Sequence, residues 1–120
     1  MTASVREIFD QFVAVVLSLG PVEILAEKSR IAFHARMTFA VVVPRDETLN
    51  GHLVLAEPVE DQRFHRVTSF SAHNHLHEFR LRSPGEVDSA MRRWISAAYE
   101  VGMQRHHRSG SGTESEPTRT

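Results

Sequence analysis

The chain has 120 residues, enough for one domain, with ordinary hydrophobic (41%) and charged (24%) fractions. Its net charge of −1 gives no general attraction to nucleic acid or to an anionic membrane. The chain contains no cysteine, which excludes disulfides, thiolate nucleophiles and zinc sites built on cysteine. The absence of cysteine fits a reducing compartment, so we expect a cytoplasmic protein. The apolar run near the N-terminus is too short to span a bilayer, so we expect no membrane association.

The first segment has the pattern of an amphipathic helix. Ser4 and Glu7 have the spacing of a capping box, which predicts the helix start. Gly20 and Pro21 then predict its end, because glycine adopts the left-handed cap and proline cannot continue a helix. The apolar residues between these signals recur at helical spacing: Val5, Ile8, Phe9, Phe12, Val16 and Leu19.

Residues 22–81 change to a period of two, which indicates β-strands. Lys28, Ser29 and Arg30 separate two such runs and predict a hairpin turn. Residues 44–51 read as a turn-rich loop before a strand at 52–56. Since the connections are short and contain no helix, we expect five to six antiparallel strands.

Alternation within these strands assigns two sheet faces. The heavier apolar face contains Ile31, Phe33, Ala35, Met37, Phe39, Val41, Val43, Leu53, Leu55, Phe79 and Leu81. The second face is mixed and contains Ala32, His34, Thr38, Ala40, Val42, His52 and Val54. If both helices cover the heavier face, the second face is left for a protein partner, a second copy or a ligand. The alternative is that one helix covers each face.

A second capping box at Ser83 and Glu86, with Pro84 at the first helical position, predicts the start of the last helix. Asp88 and Arg92 are four residues apart and predict an ion pair on its solvated side. Its apolar stripe consists of Val87, Met91, Trp94, Ile95, Ala98 and Val101. The expected fold is therefore α+β over residues 1–103, an antiparallel sheet with N-terminal and C-terminal helices packed on it. Residues 104–120 are expected to form a disordered polar tail.

Several short motifs resemble a known bacterial family. They are the run Lys28-Ser29-Arg30-Ile31-Ala32-Phe33, the run Met37-Thr38-Phe39-Ala40, Pro44-Arg45, Arg63-Phe64, the strand at 77–81, and the ending from Ser83 through Trp94 to Ala98-Tyr99. Together they resemble the domain-of-unknown-function family numbered 5655, which also occurs at the end of predicted transport proteins. The resemblance covers about residues 4–103 and implies an α+β domain with flanking helices and no established reaction. A more distant similarity, in architecture, is to YdhG-like domains.

The segment from His73 to His77 is the most unusual local feature. On a strand, His75 and His77 point the same way with room for one metal ion between them, and imidazole is a common ligand for transition metals. We therefore consider a metal site at His73, His75 and His77, with His34, His52 or His65 as a further ligand. The alternative is that His75 and His77, which share the parity of Phe79 and Leu81, are buried and hydrogen-bonded within the fold.

The sole lysine, Lys28, lies close to Arg30 in the predicted hairpin turn. Together with Arg45 these cations predict a site for a phosphate or carboxylate, and we include His77 as a further ligand-binding candidate. The alternative is a solvated turn. Nucleic-acid binding needs a basic stripe, and we do not expect it, because the candidate arginines are dispersed along the chain and interrupted by carboxylates: Arg63, Arg66, Arg80, Arg82, Arg92 and Arg93.

No complete catalytic motif is present in the sequence, and no cofactor is indicated. Ser69 and Ser71 lie near the histidines but lack a nucleophile elbow. The leading hypothesis is a non-enzymatic binding or interaction module, as a homodimer or with a protein partner on the second sheet face. The alternatives are a metal-binding protein or metal-dependent enzyme, and a nucleic-acid-binding accessory domain.

Overall fold

The computed structural model describes residues 1–104 as one six-stranded antiparallel sheet with a helix at each end of the chain. The tail expected at 104–120 lies, beyond Gln104, outside the described residues. The strands lie in the order β1-β2-β3-β4-β6-β5. The elements are α1 (Ala3–Leu17), β1 (Glu23–Ala26), β2 (Ile31–His34), β3 (Thr38–Pro44), β4 (Leu49–Leu55), β5 (Phe64–Ser71), β6 (Asn74–Leu81) and α2 (Ser89–Gly102). The expected fold class is confirmed.

Helix α1 begins earlier than the capping box predicts. Thr2, not Ser4, is the N-cap residue, and its Oγ1 accepts a hydrogen bond of 3.2 Å from the backbone N–H of Val5. At the other end the helix stops at Leu17. Gly20 follows with φ +146°, a conformation that favours glycine, and Tyr99 packs where its Cβ would be.

Both helices pack on the same face of the sheet. Phe12 of α1 lies with its ring centroid 5.6 Å from Phe33 and 5.7 Å from Phe79, at the centre of that face. From α2, Tyr99 makes an edge contact with Phe39 at 5.5 Å. These side chains belong to one hydrophobic core, so the face beneath the helices, here called the covered face, holds the apolar interior.

A β-bulge changes the faces of β3 from those expected. Phe33 pairs with Ala40, but the next residue, His34, pairs with Thr38, so Phe39 is the extra residue in β3. Beyond the bulge, Ala40 and Val42 therefore face the core, while Val41 faces away from it. Phe39 itself lies in the core as expected, but simple alternation from it gave the reverse facing for residues 40–43 and was wrong there. The same alternation was correct for Phe33, Leu53, Leu55, Phe79 and Leu81, which all lie in the core.

Strand β4 is longer than predicted and begins at Leu49, because the chain turns tightly before it. The Arg45 N–H donates to the Thr48 carbonyl at 2.9 Å and closes that turn. Gly51 lies inside the strand, where a Cβ would collide with the Val41 carbonyl oxygen and come within 2.8 Å of the Phe79 ring. The glycine thus lets β3, β4 and Phe79 approach closely.

Helix α2, in contrast to α1, starts later than its capping box predicts. Residues Pro84–Glu86 form a separate 3-10 turn, and Ser83 makes no capping hydrogen bond. The N-cap is Asp88, which accepts from the Met91 N–H at 3.0 Å. Asp88 binds Arg63 and not Arg92, because Arg63 reaches across from the start of β5 at 2.9 Å.

Candidate functional site: the open face of the sheet

The second face of the sheet carries no helix within residues 1–104, and we call it the open face. Because side chains alternate along a strand, every second residue of each strand points to the open face. Its members include Glu23, Leu25, Ala32, His34, Thr38, Val41, Val43, Asn50, His52, Val54, Arg66, Thr68, Leu76, Glu78 and Arg80. Most of these side chains are half-buried, although no described element lies above them.

The centre of the open face is apolar and shielded by its own neighbours. Ala32 is 3% exposed and Val41 1% exposed, and the two are cross-strand partners. His52 lies next to Val41 on β4. Burial lowers the pKa of His52, and the charge of Arg30 lowers it further, while Glu78 acts in the opposite direction. The centre of the open face therefore presents a neutral imidazole beside the apolar side chains of Ala32 and Val41.

A polar row crosses the open face beside this centre. His52 is the partner of Glu78, and Glu78 is the partner of Arg66 on the edge strand β5. The Arg66 Nε lies 3.8 Å from Glu78 Oε2, and the arginine side chain is 72% exposed. Such a long, solvated pair contributes little to stability, so both charges remain available to an approaching group.

Large apolar side chains are exposed on the two edge strands of the sheet. Leu25 on β1 is 37% exposed, and Phe70 on β5 is 70% exposed. An apolar centre with arginine, carboxylate and aromatic groups towards the edge has the composition of a protein contact surface.

The structure brings three of the four ligand-binding candidates to one end of the sheet. Lys28 and Arg30 occupy the β1–β2 turn, and Arg45 occupies the β3–β4 turn at the same end, because alternate turns of a meander share an edge. Arg30 is paired with Glu27, at 2.9 Å between Nε and Oε1. His77, the fourth candidate, lies on the covered face and does not join them.

Both ring nitrogens of His77 are bonded to backbone groups. Its Nε2 accepts from the Val59 N–H at 2.9 Å, and its Nδ1 lies 2.8 Å from the His75 carbonyl oxygen. A carbonyl only accepts, so Nδ1 carries the proton. The side chain is fully buried, and desolvation lowers its pKa; the electrostatic interaction with His75 adds to this, while the hydrogen bond to the His75 carbonyl opposes it. Through the hydrogen bond from the Val59 N–H, the neutral ring holds the loop that contains Val59 against β6.

His75 is held in a similar way near the end of the β5–β6 hairpin. Its Nε2 lies 3.1 Å from the Ala72 carbonyl, so that nitrogen donates, and its Nδ1 accepts from Ser69 Oγ at 2.7 Å. His73 lies exposed in the turn. A metal ion at His75 and His77 must displace these hydrogen bonds, and the suggested further ligand His52 points from the opposite face.

Among residues 1–104 there is no group of three or more His, Cys, Asp or Glu side chains arranged to hold a metal ion. The metal site at His73, His75 and His77 stays a prediction.

The arginines considered for nucleic-acid binding are distributed over different parts of the molecule. Arg66 and Arg80 lie on the open face, whereas Arg92 and Arg93 lie on α2, across the sheet. Arg63 is mostly buried in an ion-pair cluster. The structure therefore does not assemble these side chains into one basic stripe.

That cluster around Arg63 was missed by the sequence reasoning. Its Nε lies 2.8 Å from Asp61, and its Nη1 lies 2.9 Å from both Asp88 and the Glu86 carbonyl. The guanidinium also lies over the Trp94 ring, at 4.9 Å from the centroid. The hydrogen bond from Arg63 lowers the pKa of Asp61. Asp61 is two residues from Arg63, but Glu86, Asp88 and Trp94 are far from it in sequence, so spacing gave no signal for the cluster beyond the Arg63-Phe64 motif.

A shallow groove of about 440 Å³ lies beside the start of β1. It is lined by Pro21, Val22, Glu23, His34, Ala35, Arg36 and Met103. The backbone N–H groups of Arg36 and Met37 both donate to the Gly102 carbonyl, which fixes the β2–β3 turn to the end of α2. The groove is thus bounded by rigid backbone and opens at the sheet edge.

No helix among residues 1–104 is both long and apolar enough to cross a membrane. The search of curated proteins gives no match to this chain, and the search of solved structures gives none either. The similarity to YdhG-like domains therefore stays a prediction. A family described as "Domain of unknown function (DUF5655)" matches residues 2–102, which is most of the chain and contains every helix and strand described among residues 1–104. The chain belongs to this family.

Proposed function

We propose that the chain is a non-enzymatic interaction module and that the open face is its contact surface for another protein. The observation that carries the proposal is the placement of both helices on one side of the sheet. This placement leaves a second face with a shielded apolar centre at Ala32 and Val41. A sheet face this apolar favours a partner over permanent contact with water.

The chemistry of the open face fits a protein surface better than a small molecule. The face is spread over six strands, whereas small ligands are enclosed in deep pockets. It presents hydrogen-bonding and charged groups of both signs around its centre, including Asn50, Glu78 and Arg66. A partner with complementary charges and an apolar anchor would match this arrangement.

Two neighbouring positions on β5 give a matched test of this face. Arg66 points to the open face and Val67 to the covered side, and both side chains are exposed at the edge of the sheet. We suggest placing a photo-reactive amino acid at either position in the full chain and irradiating living cells. The two side chains point to opposite sides of the sheet, and both are exposed on the same strand.

The proposal predicts a discrete cross-linked protein from position 66 and at most a weak product from position 67. Adding Leu76→Asp, which places a charge near the centre of the open face, should remove the product at position 66. Equal cross-linking from both positions, or none from position 66, would contradict the proposal. The cytoplasmic location stays a prediction from composition.

A further inference from the structure

Strand β1 is an exposed edge strand of the sheet. It pairs only with β2 among the described residues, and all four of its residues, Glu23–Ala26, are exposed. Ile24 is 41% exposed and Leu25 37% exposed, which is unusual for large aliphatic side chains on a sheet. An apolar edge of this kind is a template for pairing with another strand.

The direction of the backbone groups of β1 follows from its turn. The Glu27 N–H donates to the Arg30 carbonyl at 2.8 Å, so the backbone groups of Glu27 point towards β2. In an antiparallel pair these directions alternate, so Glu23 and Leu25 also bond to β2. The N–H and C=O groups of Ile24 and Ala26 therefore point outwards, and no hydrogen bond from a described element outside β1 meets them.

The opposite edge of the sheet is protected against such pairing. Strand β5 has register irregularities between Phe64 and Arg66 and again between Ser69 and Ser71. Bulges twist an edge away from a second strand, and the charge of Arg66 adds to this protection. The register of β1 with β2 contains no irregularity. The two edges thus differ, and β1 is the one able to accept a strand.

We propose that a second copy of this chain adds its own β1 to this edge, antiparallel, about a twofold axis at Ile24. A twofold axis perpendicular to the sheet keeps the covered faces of both copies on the same side, so residues that pair across it must have the same facing. Every register centred on a single residue satisfies this condition, and we compare the two centred in the middle of β1, on Ile24 and on Leu25.

Hydrogen bonding between outward backbone groups is possible in both registers, and the register centred on Ile24 extends it to Val22. In that register Ile24 faces Ile24 of the second copy, and Val22 faces its Ala26, so residues with outward backbone groups meet each other. In the register centred on Leu25, the residue at the axis is Leu25, whose backbone groups bond to β2. The first pair of residues with outward backbone groups is then Ile24 with Ala26 of the second copy.

Side-chain chemistry favours the same register. On the covered side, Val22, Ile24 and Ala26 form an apolar seam with their copies, and on the other side Glu23 lies beside Leu25 of the second copy. The register centred on Leu25 instead places Glu23 opposite Glu27 of the second copy, which repels. The dimer joins two sheets into one and makes the two open faces continuous, which goes beyond the proposed function.

The first test is the mass of the full chain in solution. We expect light scattering or sedimentation to give twice the monomer mass of 13.6 kDa at high micromolar concentration. Ile24→Lys places two ammonium groups at the axis and should weaken the dimer at least about tenfold, while Ile24→Val should leave it intact. Because Ile24 is exposed, the lysine variant should keep the wild-type circular dichroism spectrum. A monomer at about 1 mM, or a dimer unaffected by Ile24→Lys, would overturn the proposal.

The second test fixes the register and uses the absence of native cysteine. Ile24→Cys places two thiols across the axis, with Cα atoms about 5.5 Å apart, within the range of a disulfide. Leu25→Cys is the matched control, because its copies are then diagonal neighbours at about 8 Å, too far for a disulfide. Mild oxidation should give a covalent dimer with Ile24→Cys and little with Leu25→Cys. The reverse result would exclude the register centred on Ile24.

Discussion

Histidine side chains occupy two kinds of environment in this molecule. His77 is fully buried, with both ring nitrogens bonded to backbone groups, whereas His52 lies half-buried on the open face next to Val41 and Glu78. The parity of His77 with Phe79 was readable from the sequence. Its bond to the Val59 N–H was not, because that contact depends on how an irregular loop returns to the sheet.

The buried histidine predicts a pH dependence of stability. The pKa of His77 lies below its usual 6.5, so the unfolded chain binds a proton more readily than the folded one. The free energy of unfolding should therefore fall as pH falls below 6.5, by at most about 1.4 kcal/mol per pH unit for each such group. His52 contributes with the same sign. Urea unfolding of wild type and His77→Gln between pH 7.5 and about 5 measures this.

The His77→Gln variant cannot titrate at this position, so its loss of stability on acidification should be smaller than that of wild type. The comparison uses the change with pH and not the absolute stability, which the substitution also alters. Equal pH dependence in both proteins would show that His77 does not titrate as the structure implies.

Gly51 is a second residue whose surroundings define its role. A Cβ at this position meets the backbone of Val41 and the ring of Phe79, neither of which can move without disturbing the sheet. We predict that Gly51→Ala lowers the free energy of unfolding by about 2–3 kcal/mol or more. Gly85→Ala, where the nearest other atom is 4.0 Å away, is the control and should change stability by less than about 1 kcal/mol. Similar stabilities for the two variants would contradict this view of β4.

At the scale of elements, sequence reasoning located both α-helices and all six strands of residues 1–104 but misplaced several of their ends. The spacing of Ser83 and Glu86 was correct for a turn, yet the helix proper starts at Asp88 after a separate 3-10 turn. Sequence spacing could not show that Arg63 takes Asp88 as a partner, because the two meet only when Phe64, at the start of β5, packs against Trp94 of α2. The bulge at Phe39 likewise depends on pairing between strands and carries no glycine signal.

The Arg63 cluster predicts a large and specific effect of mutation. Arg63 binds two carboxylates and a backbone carbonyl and is only 13% exposed, so Arg63→Ala should destabilise by about 2–4 kcal/mol. Lysine should restore little, because it lacks the planar fork that reaches several acceptors. Arg92→Ala is the control and should change stability by less than about 0.5 kcal/mol, since Arg92 is exposed on α2. Equal effects at both arginines would favour the Asp88–Arg92 pair expected from spacing.

At the scale of the whole molecule, composition and periodicity predicted an α+β domain with a helix at each end of an antiparallel sheet. The apolar stripes of α1 and α2 showed that both helices need cover, but not that they share one face of the sheet. That choice depends on the three-dimensional path of the connections, which one sequence does not encode in a local pattern. It is also the choice that leaves the open face free and so determines the proposed function.

The most direct measurement of that central claim compares the accessibility of the open face in the purified protein and in the cell. Since the chain has no cysteine, Thr68→Cys on the open face and Ala14→Cys on the exposed side of α1 each supply one thiol for a maleimide. We predict that the thiol at position 68 reacts readily in the purified protein and is protected in cells, whereas the thiol at position 14 reacts equally in both. Equal reactivity of position 68 in the two settings would contradict the account, because no partner would then cover the open face.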